Sequence, residues 1–286
     1  YLLFLVRKQP YYCVVMDIYP QLMVALGLMS PDAVSTRFLA KLATLALRNA
    51  EGVIVIGRCM AERVKEMGVS PEHLHYIPNW ADERSIYPVA PQDNTLRNDK
   101  SWQDKFVVLY AGNIGIPQHF DDILSVAEQM QAHEDLLFVF IGDGSRKAEV
   151  KAQVEARELN NVVMLPFLHD TYPLADIISA GDVHLVPLKE VCTGLAVPSK
   201  AYSILSAGRP MIYQGSFDAE IARMIQEEDV GTVLACGDVE GLQQAILRYI
   251  DRRDLVREQG ARALALARGP YSRQRALEKY AEVLER

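Results

Sequence analysis

The sequence contains no run approaching the roughly 20 apolar residues that a membrane-spanning helix requires. Its six histidines have no spacing typical of zinc ligands, and its four cysteines form no Cys-x-x-Cys pair. Basic residues are in the minority, with 30 Lys and Arg against 37 Asp and Glu. The net charge of −7 argues against nucleic-acid binding by a broad basic face. We expect reduced, mostly buried thiols in a cytoplasmic protein at Cys13, Cys59, Cys192 and Cys236.

Several signatures of catalysis are missing as well. The chain has no GxGxxG motif, no Walker A loop, no Gly-x-Ser-x-Gly elbow and no Asp-x-Asp pair. These absences disfavour an NAD-dependent dehydrogenase, a serine hydrolase and a metal-diphosphate site built on paired aspartates. We therefore expect neither a resident metal nor a cofactor.

Apolar, strand-like runs alternate with amphipathic helical patterns along most of the 286 residues. Runs such as GVIVIG, FVVLYA and LLFVFI have no polar face, which is typical of parallel strands covered by helices on both sides. The polar segment at residues 87–105, rich in Asp, Asn and Lys, is the best linker between two domains. The pattern predicts an α/β protein with two parallel sheets.

Three predicted strand ends carry features that suit an anion. Two are glycine-rich, at residues 112–115 and 142–144, and the third is the loop KEVCTGLAVPSK at residues 189–200. Glycines let backbone amides approach a phosphate, and ligands of parallel α/β sheets bind where strands end. Each loop also has an ordinary interpretation as a tight turn, and Ser145 could simply cap the next helix.

Lys200 is the most informative single residue. The stretch VPSKAYSILSAGRPMI predicts a helix from Pro198 to Gly208, which places Lys200 in its first turn. A cation there opposes the helix dipole at a cost of about 0.3–1 kcal/mol. A bound anion would explain the placement; the alternative is a solvated surface lysine.

The order of these motifs resembles a known family. The series IPNWAD, LYAGNIG, FVFIGDG, VMLPFL, AGDVHLVPL and PSKAYSILSAGRPMI resembles the nucleotide-sugar-binding half of a family 4 glycosyltransferase with the GT-B fold. The resemblance covers nearly all of residues 103–286, while residues 11–82 resemble the end of the acceptor half. The PSK form is similar to the branch that makes colanic-acid-like exopolysaccharides.

The resemblance implies two Rossmann-like domains that face each other across a cleft, the first of them partial. It implies an acceptor-side domain at 1–86, the linker at 87–105, a donor-binding domain at 106–268 and a final helix at 269–286. That helix would pack back on the first domain through one apolar stripe of Ala276, Leu277, Tyr280, Ala281 and Leu284. Because the chain begins at Tyr1, we expect the natural protein to have a further N-terminal part.

The implied reaction is transfer of a sugar from a nucleoside-diphosphate donor to a hydroxyl of a saccharide or lipid-linked acceptor, with retained configuration. Asp17 and Lys200 are the implied catalytic residues. Any peripheral membrane contact would come through the further N-terminal part. The implied donor-binding residues are Gly112, Asn113, Gly115, Gln118, Gly142, Asp143, Phe167, Leu168, Thr193, Gly194, Pro198, Ser199, Tyr202 and Ser203.

The chain departs from the family pattern at four positions. Asn113 and Gln118 occupy places where the family commonly has Arg and Lys, and Leu195 and Ser203 replace a pair of Glu residues. The departures favour an alternative in which the protein is a non-catalytic nucleotide-sugar-binding relative or scaffold. A nucleotide-sugar epimerase is a weaker alternative, because no acid–base pair for it can be identified.

These departures leave Lys200 as the main cation for the diphosphate. Other basic residues that the fold could bring close are Lys8, Arg58, Lys189 and Arg209. His119 follows the first glycine loop, where it is either a sugar contact or a histidine of the helix surface.

Overall fold

The first part of the chain forms a small parallel sheet. A computed structural model describes residues 9–285, so Lys8 lies outside the described residues. The sheet has the order β1-β2-β3. Its strands are β1 (Tyr12–Val15), β2 (Gly52–Val55) and β3 (Leu74–Tyr76). The central strand β2 is buried along its whole length.

The second sheet has six parallel strands in the order β6-β5-β4-β7-β8-β9. Its strands are β4 (Phe106–Ala111), β5 (Leu136–Ile141), β6 (Val162–Leu165), β7 (Val183–Pro187), β8 (Met211–Gln214) and β9 (Gly231–Leu234). This is the Rossmann order, in which the chain reverses direction across the sheet between β4 and β7. The two parallel sheets confirm the predicted α/β class.

Helices connect successive strands and cover the sheets. Those before β4 are α1 (Gln21–Ala25), α2 (Val34–Arg48), α3 (Arg58–Glu66) and α4 (Thr95–Asp99). Those that follow are α5 (Asp121–Gln129), α6 (Lys147–Ala156), α7 (Leu174–Ser179), α8 (Lys200–Ser206), α9 (Glu220–Glu228), α10 (Val239–Asp251), α11 (Arg253–Arg268) and α12 (Arg273–Leu284). Within residues 9–285, no helix is long and apolar enough to cross a bilayer.

The two sheets share one hydrophobic core. Val15 and Val53 of the first sheet belong to the same buried cluster as Val186 at the end of β7. Helices α3, α8 and α9 contribute further apolar side chains to that cluster: Met60, Val64, Ile204, Leu205, Ile221 and Met224. The sheets are therefore held together by apolar packing as well as by the connecting chain.

The segment at residues 87–105 is folded rather than free. It contains a 3-10 turn (Pro91–Asp93) and helix α4, and Leu96 is fully buried. The buried guanidinium of Arg97 donates to Asp182 at 2.9 Å. Asn94 and Arg97 are its buried polar residues and both are hydrogen-bonded, whereas most of its other polar side chains are exposed.

The last helix, α12, packs against the first sheet. Ala276, Tyr280 and Val283 contact Ile54 and Ile77. Leu277, Ala281 and Leu284, which the helical spacing assigned to the same stripe, are exposed. The buried stripe is thus rotated towards Val283 and is narrower than the sequence indicates.

Candidate functional site

The two glycine-rich loops contact each other at the ends of β4 and β5. The Ile114 amide donates to the Asp143 carbonyl at 2.7 Å, which holds the loops side by side. Gly142 has φ of +153°, and a Cβ there would lie 1.9 Å from the Gly112 carbonyl oxygen. Only glycine fits such an approach, so the spacing of the two loops depends on residue 142.

The backbone amides of the first loop are largely engaged within the protein. The Gly112 amide donates to the Ile141 carbonyl at 2.9 Å, and the Gly115 amide donates to Oε1 of Gln118 at 3.0 Å. The amide of Asn113 has no hydrogen-bond partner within residues 9–285. One main-chain donor is thus available for an anion, fewer than the glycine content suggests.

Lys200 lies beneath this loop. Its ammonium nitrogen Nζ is 3.4 Å from the centre of the Tyr110 ring, and a Cβ on Gly112 would approach it to 3.2 Å. The nitrogen is buried, with no hydrogen-bond or ion-pair partner in the described part of the chain. Burial lowers the pKa of Lys200 well below its usual value.

The helix that carries Lys200 starts later than predicted. Helix α8 begins at Lys200, because the preceding turn is of the 3-10 type: the amides of Ala201 and Tyr202 donate three residues back, to Pro198 and Ser199. Those two amides are therefore not available to a ligand. Gly208, with φ of +62°, follows the helix as expected.

The loop between β7 and α8 connects the glycine loop to the first sheet. The Lys189 amide donates to the Pro117 carbonyl at 2.8 Å, and the Ile18 amide donates to the Leu195 carbonyl at 2.9 Å. Asp17 forms an isolated antiparallel bridge with Ala196. The third predicted strand end thus lies beside the first one, and it also reaches the end of β1.

Asp17 lies at this junction. Residue 17 is exposed overall, yet partial burial of its carboxyl group raises its pKa. Because desolvation favours the protonated form, this carboxyl is more readily neutral than an ordinary surface aspartate. The structure places Asp17 against the donor-side loop.

Some predicted donor residues point elsewhere. Tyr202 is 2% exposed and packs in the shared core, with its ring centre 5.7 Å from that of Tyr271. Two residues apart on a helix, Lys200 and Tyr202 face nearly opposite directions. The Tyr202 side chain therefore points away from the glycine loops, and its role in donor binding stays a prediction.

Thr193 and Gly194 line a different pocket. It has a volume of about 570 Å³, includes Arg63 and Asp218, and contains none of the glycine-loop residues. Gly194 has φ of +73°, and a Cβ there would meet the Arg63 side chain at 2.8 Å. Both predicted donor residues thus face helix α3.

The remaining donor-side residues lie nearer to the loops. Asp143 is exposed; it accepts from its neighbour, the Gly144 amide, and pairs with Lys147 at 3.2 Å. Phe167 is 49% exposed and follows β6, whose Leu165 carbonyl accepts from the Gly142 amide. Leu168 is half-buried in the adjoining core cluster.

Pro198 and Ser199 form the turn before α8, and Ser199 is exposed. Ser203, three residues after Lys200, shares its face of the helix. Ser203, at the position where the family commonly has Glu, is therefore on the same face of the helix as Lys200.

Two of the other basic residues are engaged away from the glycine loops. Arg58 pairs with Glu220 at 3.1 Å and Glu227 at 2.8 Å, across the boundary between the sheets. Arg209 is largely buried and donates to the carbonyls of Val89 and Ser179. Neither guanidinium is therefore placed to hold a phosphate, because each is held by oxygen acceptors.

His119 pairs with acidic neighbours rather than facing an empty site. Its Nε2 lies 3.2 Å from Asp122 and its Nδ1 lies 3.7 Å from Asp121. Sequence reasoning missed Arg146, which donates to the Gln118 carbonyl at 3.2 Å while pairing with Glu149. Its position directly after the Gly142–Gly144 loop was the available signal.

Family models match both parts of the chain. Residues 105–252, just over half of the chain, match the model described as glycosyl transferases group 1, and residues 4–80 match the glycosyl transferase 4-like domain. The chain belongs to the group 1 glycosyl transferases. The family resemblance predicted from the motifs is confirmed.

Two curated relatives support the branch. The chain is 35% identical over 218 residues to a probable glycosyltransferase, WbjE, of Pseudomonas aeruginosa; the match covers 75% of this chain and 53% of WbjE. It is 29% identical over 213 residues to the putative colanic acid biosynthesis glycosyl transferase WcaI of Escherichia coli K12, covering 70% of this chain and 51% of WcaI. The chain spans about half the length of the curated relatives it matches.

A solved structure supports the fold. Anabaena HepE in complex with UDP matches with a TM-score of 0.79 at 18% identity, over 99% of this chain and 74% of HepE. At that identity the likeness shows the architecture: two Rossmann-like domains of the GT-B type. The predicted GT-B fold is confirmed.

Proposed function

We propose that this chain forms the nucleotide-sugar site of a retaining glycosyltransferase in polysaccharide or glycoconjugate synthesis. The donor would be a nucleoside-diphosphate sugar, and the acceptor a hydroxyl of a saccharide or lipid-linked saccharide. The observation that carries the proposal is the buried ammonium of Lys200, which has no counter-charge among residues 9–285 and lies beneath Gly112 at the β4/β7 switch point.

The chemistry of glycosyl transfer needs such a group. As the bond between the sugar and the diphosphate breaks, negative charge develops on the leaving diphosphate, and preorganised donors lower the barrier. A cation that is shielded from water interacts more strongly with this charge than one on the surface. Lys200 and the Asn113 amide are two of the donors that this site offers.

The names of the relatives agree with this role. WcaI is described as a colanic acid biosynthesis enzyme, and HepE has been solved with UDP and with UDP-glucose. A uridine diphosphate sugar is accordingly the first donor to test, followed by GDP- and ADP-sugars.

Titration calorimetry with these donors tests the binding part of the proposal. We expect one of them to bind wild type, and Lys200→Ala to weaken it by about 1–3 kcal/mol, roughly 5- to 150-fold. Lys105→Ala is the matched control, because Lys105 precedes β4 at the opposite end of the strand and its Nζ donates to the Glu134 carbonyl. Folded wild type that binds none of the donors contradicts the proposal.

Asp17 is proposed to act on the acceptor side of the same site. Its raised pKa and its bridge to Ala196 place a readily protonated carboxyl against the donor-side loop. Asp17→Asn should abolish sugar transfer while donor affinity changes less than about twofold. NMR of the product during the reaction reads the anomeric configuration; inversion would refute the retaining mechanism.

A second candidate, a non-catalytic nucleotide-sugar-binding relative or scaffold, is favoured by one observation. Oε1 of Gln118 accepts from the loop amide of Gly115, so residue 118 supports the loop and supplies no cation. Under this alternative the donor binds but no sugar is transferred. An assay with a radiolabelled donor and a crude lipid acceptor fraction distinguishes the two candidates, because only the glycosyltransferase transfers label to the lipid.

A further inference from the structure

We infer that Tyr110 is a positioning residue that sets both the shape of the glycine loop and the place of Lys200. The inference rests on the proposed function, because it concerns the same diphosphate site. Tyr110 is the fifth residue of β4, and nothing in its sequence context distinguishes it from a core residue.

The hydroxyl of Tyr110 acts on the loop. It donates to the carbonyl of Asn113, three residues further along the chain. That bond restrains the main chain at Asn113. The amide of the same residue is the loop donor without a partner in the described residues. Burial raises the pKa of Tyr110, so the hydroxyl keeps its proton and stays a donor.

The ring of Tyr110 acts on the lysine. Nζ of Lys200 lies 3.4 Å from the ring centre, and the electron-rich face of the ring is its attractive contact in the described structure. Phe120 and Phe140 hold the ring by edge contacts, with ring centres 4.9 Å and 6.4 Å away. The Asn113 carbonyl and the two phenylalanines thus hold the ring, and the ring face lies against the ammonium.

One side chain thus contacts both Lys200 and Asn113, which carry two of the donors proposed to hold a diphosphate. Loss of the hydroxyl should release the loop while leaving the ring under Lys200. Loss of the ring should free both. These changes should weaken the binding of the second phosphate group most, because Lys200 and the Asn113 amide are proposed to contact the diphosphate rather than the base.

The test is calorimetric titration of UDP, UMP and inorganic pyrophosphate into wild type, Tyr110→Phe and Tyr110→Leu. Tyr249→Phe is the matched control: Tyr249 is fully buried, and its hydroxyl donates to Gln259 at 2.7 Å on helices α10 and α11. It loses the same kind of hydrogen bond without touching the glycine loop. Thermal unfolding of each variant measures the structural cost.

We expect Tyr110→Phe to weaken UDP and pyrophosphate binding by about three- to tenfold, with UMP changed by less than about twofold. Tyr110→Leu should weaken UDP binding further, by about tenfold or more in total. Tyr249→Phe should lower the melting temperature as Tyr110→Phe does, yet bind all three probes like wild type.

Three results would overturn the inference. In the first, Tyr110→Phe binds UDP as tightly as wild type does. In the second, the affinities of Tyr110→Phe for UDP and UMP fall in parallel, which would indicate general loosening of the protein. In the third, Tyr249→Phe weakens UDP binding as much as Tyr110→Phe does. Each of these leaves the proposed function standing. If folded wild type binds none of UDP, GDP, ADP and pyrophosphate, the proposed function is refuted, and the inference with it.

Discussion

Replacing Lys200 by methionine should stabilise the protein and at the same time weaken its diphosphate binding. The substitution keeps an unbranched side chain of similar length and deletes a buried ammonium that has no hydrogen-bond or ion-pair partner within residues 9–285. A group retained for binding commonly lowers stability, because its partner is the ligand rather than the protein.

The magnitude follows from the surroundings of the nitrogen. Burying an unpaired polar group costs about 1–3 kcal/mol. The contact with the Tyr110 ring offsets about 0.5–2 kcal/mol of that cost, but a methionine sulfur also packs favourably against a ring, by about 0.3–1.5 kcal/mol. The free energy of unfolding should therefore rise by about 1–2 kcal/mol. Each kcal/mol corresponds to an increase of about 2–4 °C in melting temperature.

The same lysine makes stability depend on pH. In the unfolded chain a lysine has a pKa of about 10.4, whereas burial lowers the pKa of Lys200 in the folded protein. Between the two values the unfolded state binds more protons, so the free energy of unfolding attributable to Lys200 rises with pH. The methionine variant should be stabilised most below the lowered pKa and should lose its advantage towards pH 10.4.

Diphosphate binding should carry the opposite pH dependence. An anion beside Lys200 favours the protonated amine, so binding takes up a proton and weakens as pH rises above the lowered pKa. Calorimetry in two buffers of different ionisation enthalpy measures the uptake, and Lys200→Met should bind more weakly and without this proton uptake.

Denaturant unfolding and UDP titration of Lys200→Met, with Lys105→Met as control, decide the matter. Lys105 lies before β4, away from the glycine loop, so its replacement should leave UDP affinity unchanged. Loss of stability in Lys200→Met, with UDP binding retained, would refute the reasoning, because the lysine would then be supporting the fold rather than the ligand.

Other substitutions test neighbouring parts of the structure. Gly142→Ala should lose about 2–4 kcal/mol in denaturant unfolding, because its φ is +153° and its Cβ would collide with the Gly112 carbonyl; an unperturbed protein would show that the loops are spaced differently. Tyr202→Phe removes a buried hydroxyl without a partner among the described residues, so melting temperature should stay level or rise and UDP affinity should not change; a weakened affinity would return Tyr202 to the site. Glu220→Gln should lower the free energy of unfolding by about 1–3 kcal/mol, less than for a fully buried ion pair, because Arg58 is partly exposed. If the variant unfolds in urea at the same concentration as wild type, the ion pair between Arg58 and Glu220 contributes nothing to stability.

The predicted site residues that the structure brings together share a local cause. Gly112, Gly142 and Lys200 are each marked by chain-local features, namely a strand that ends in glycine or a helix that starts after proline. Such signals also predict that the strand ends meet, because parallel strands end at the same edge of the sheet. The loop contacts from Ile114 to Asp143 and from Lys189 to Pro117 follow from that topology.

The predicted residues that lie apart from the glycine loops do so for a different reason. Tyr202 and Gly194 lie within a few positions of Lys200, but a helix rotates its side chains by about 100° per residue and a loop can turn between neighbours. Arg58 pairs with Glu220, 162 positions away in the sequence. No local pattern predicts a partner at that distance.

The sequence by itself determined the α/β class, the order of strands and helices, the family, and the glycine-rich strand ends that meet in the fold. These depend on periodicity, on the conformational freedom of glycine and on motif order, all of which are properties of short segments. Only the tertiary structure decided which donors remain unpaired. It placed Lys200 over Tyr110 with no counter-charge in the described part of the chain, engaged Arg58 and Arg209 elsewhere, and used Gln118 to hold its own loop. Pairing of charges depends on side chains that are distant in sequence and close in space, so it is settled only when the chain is folded.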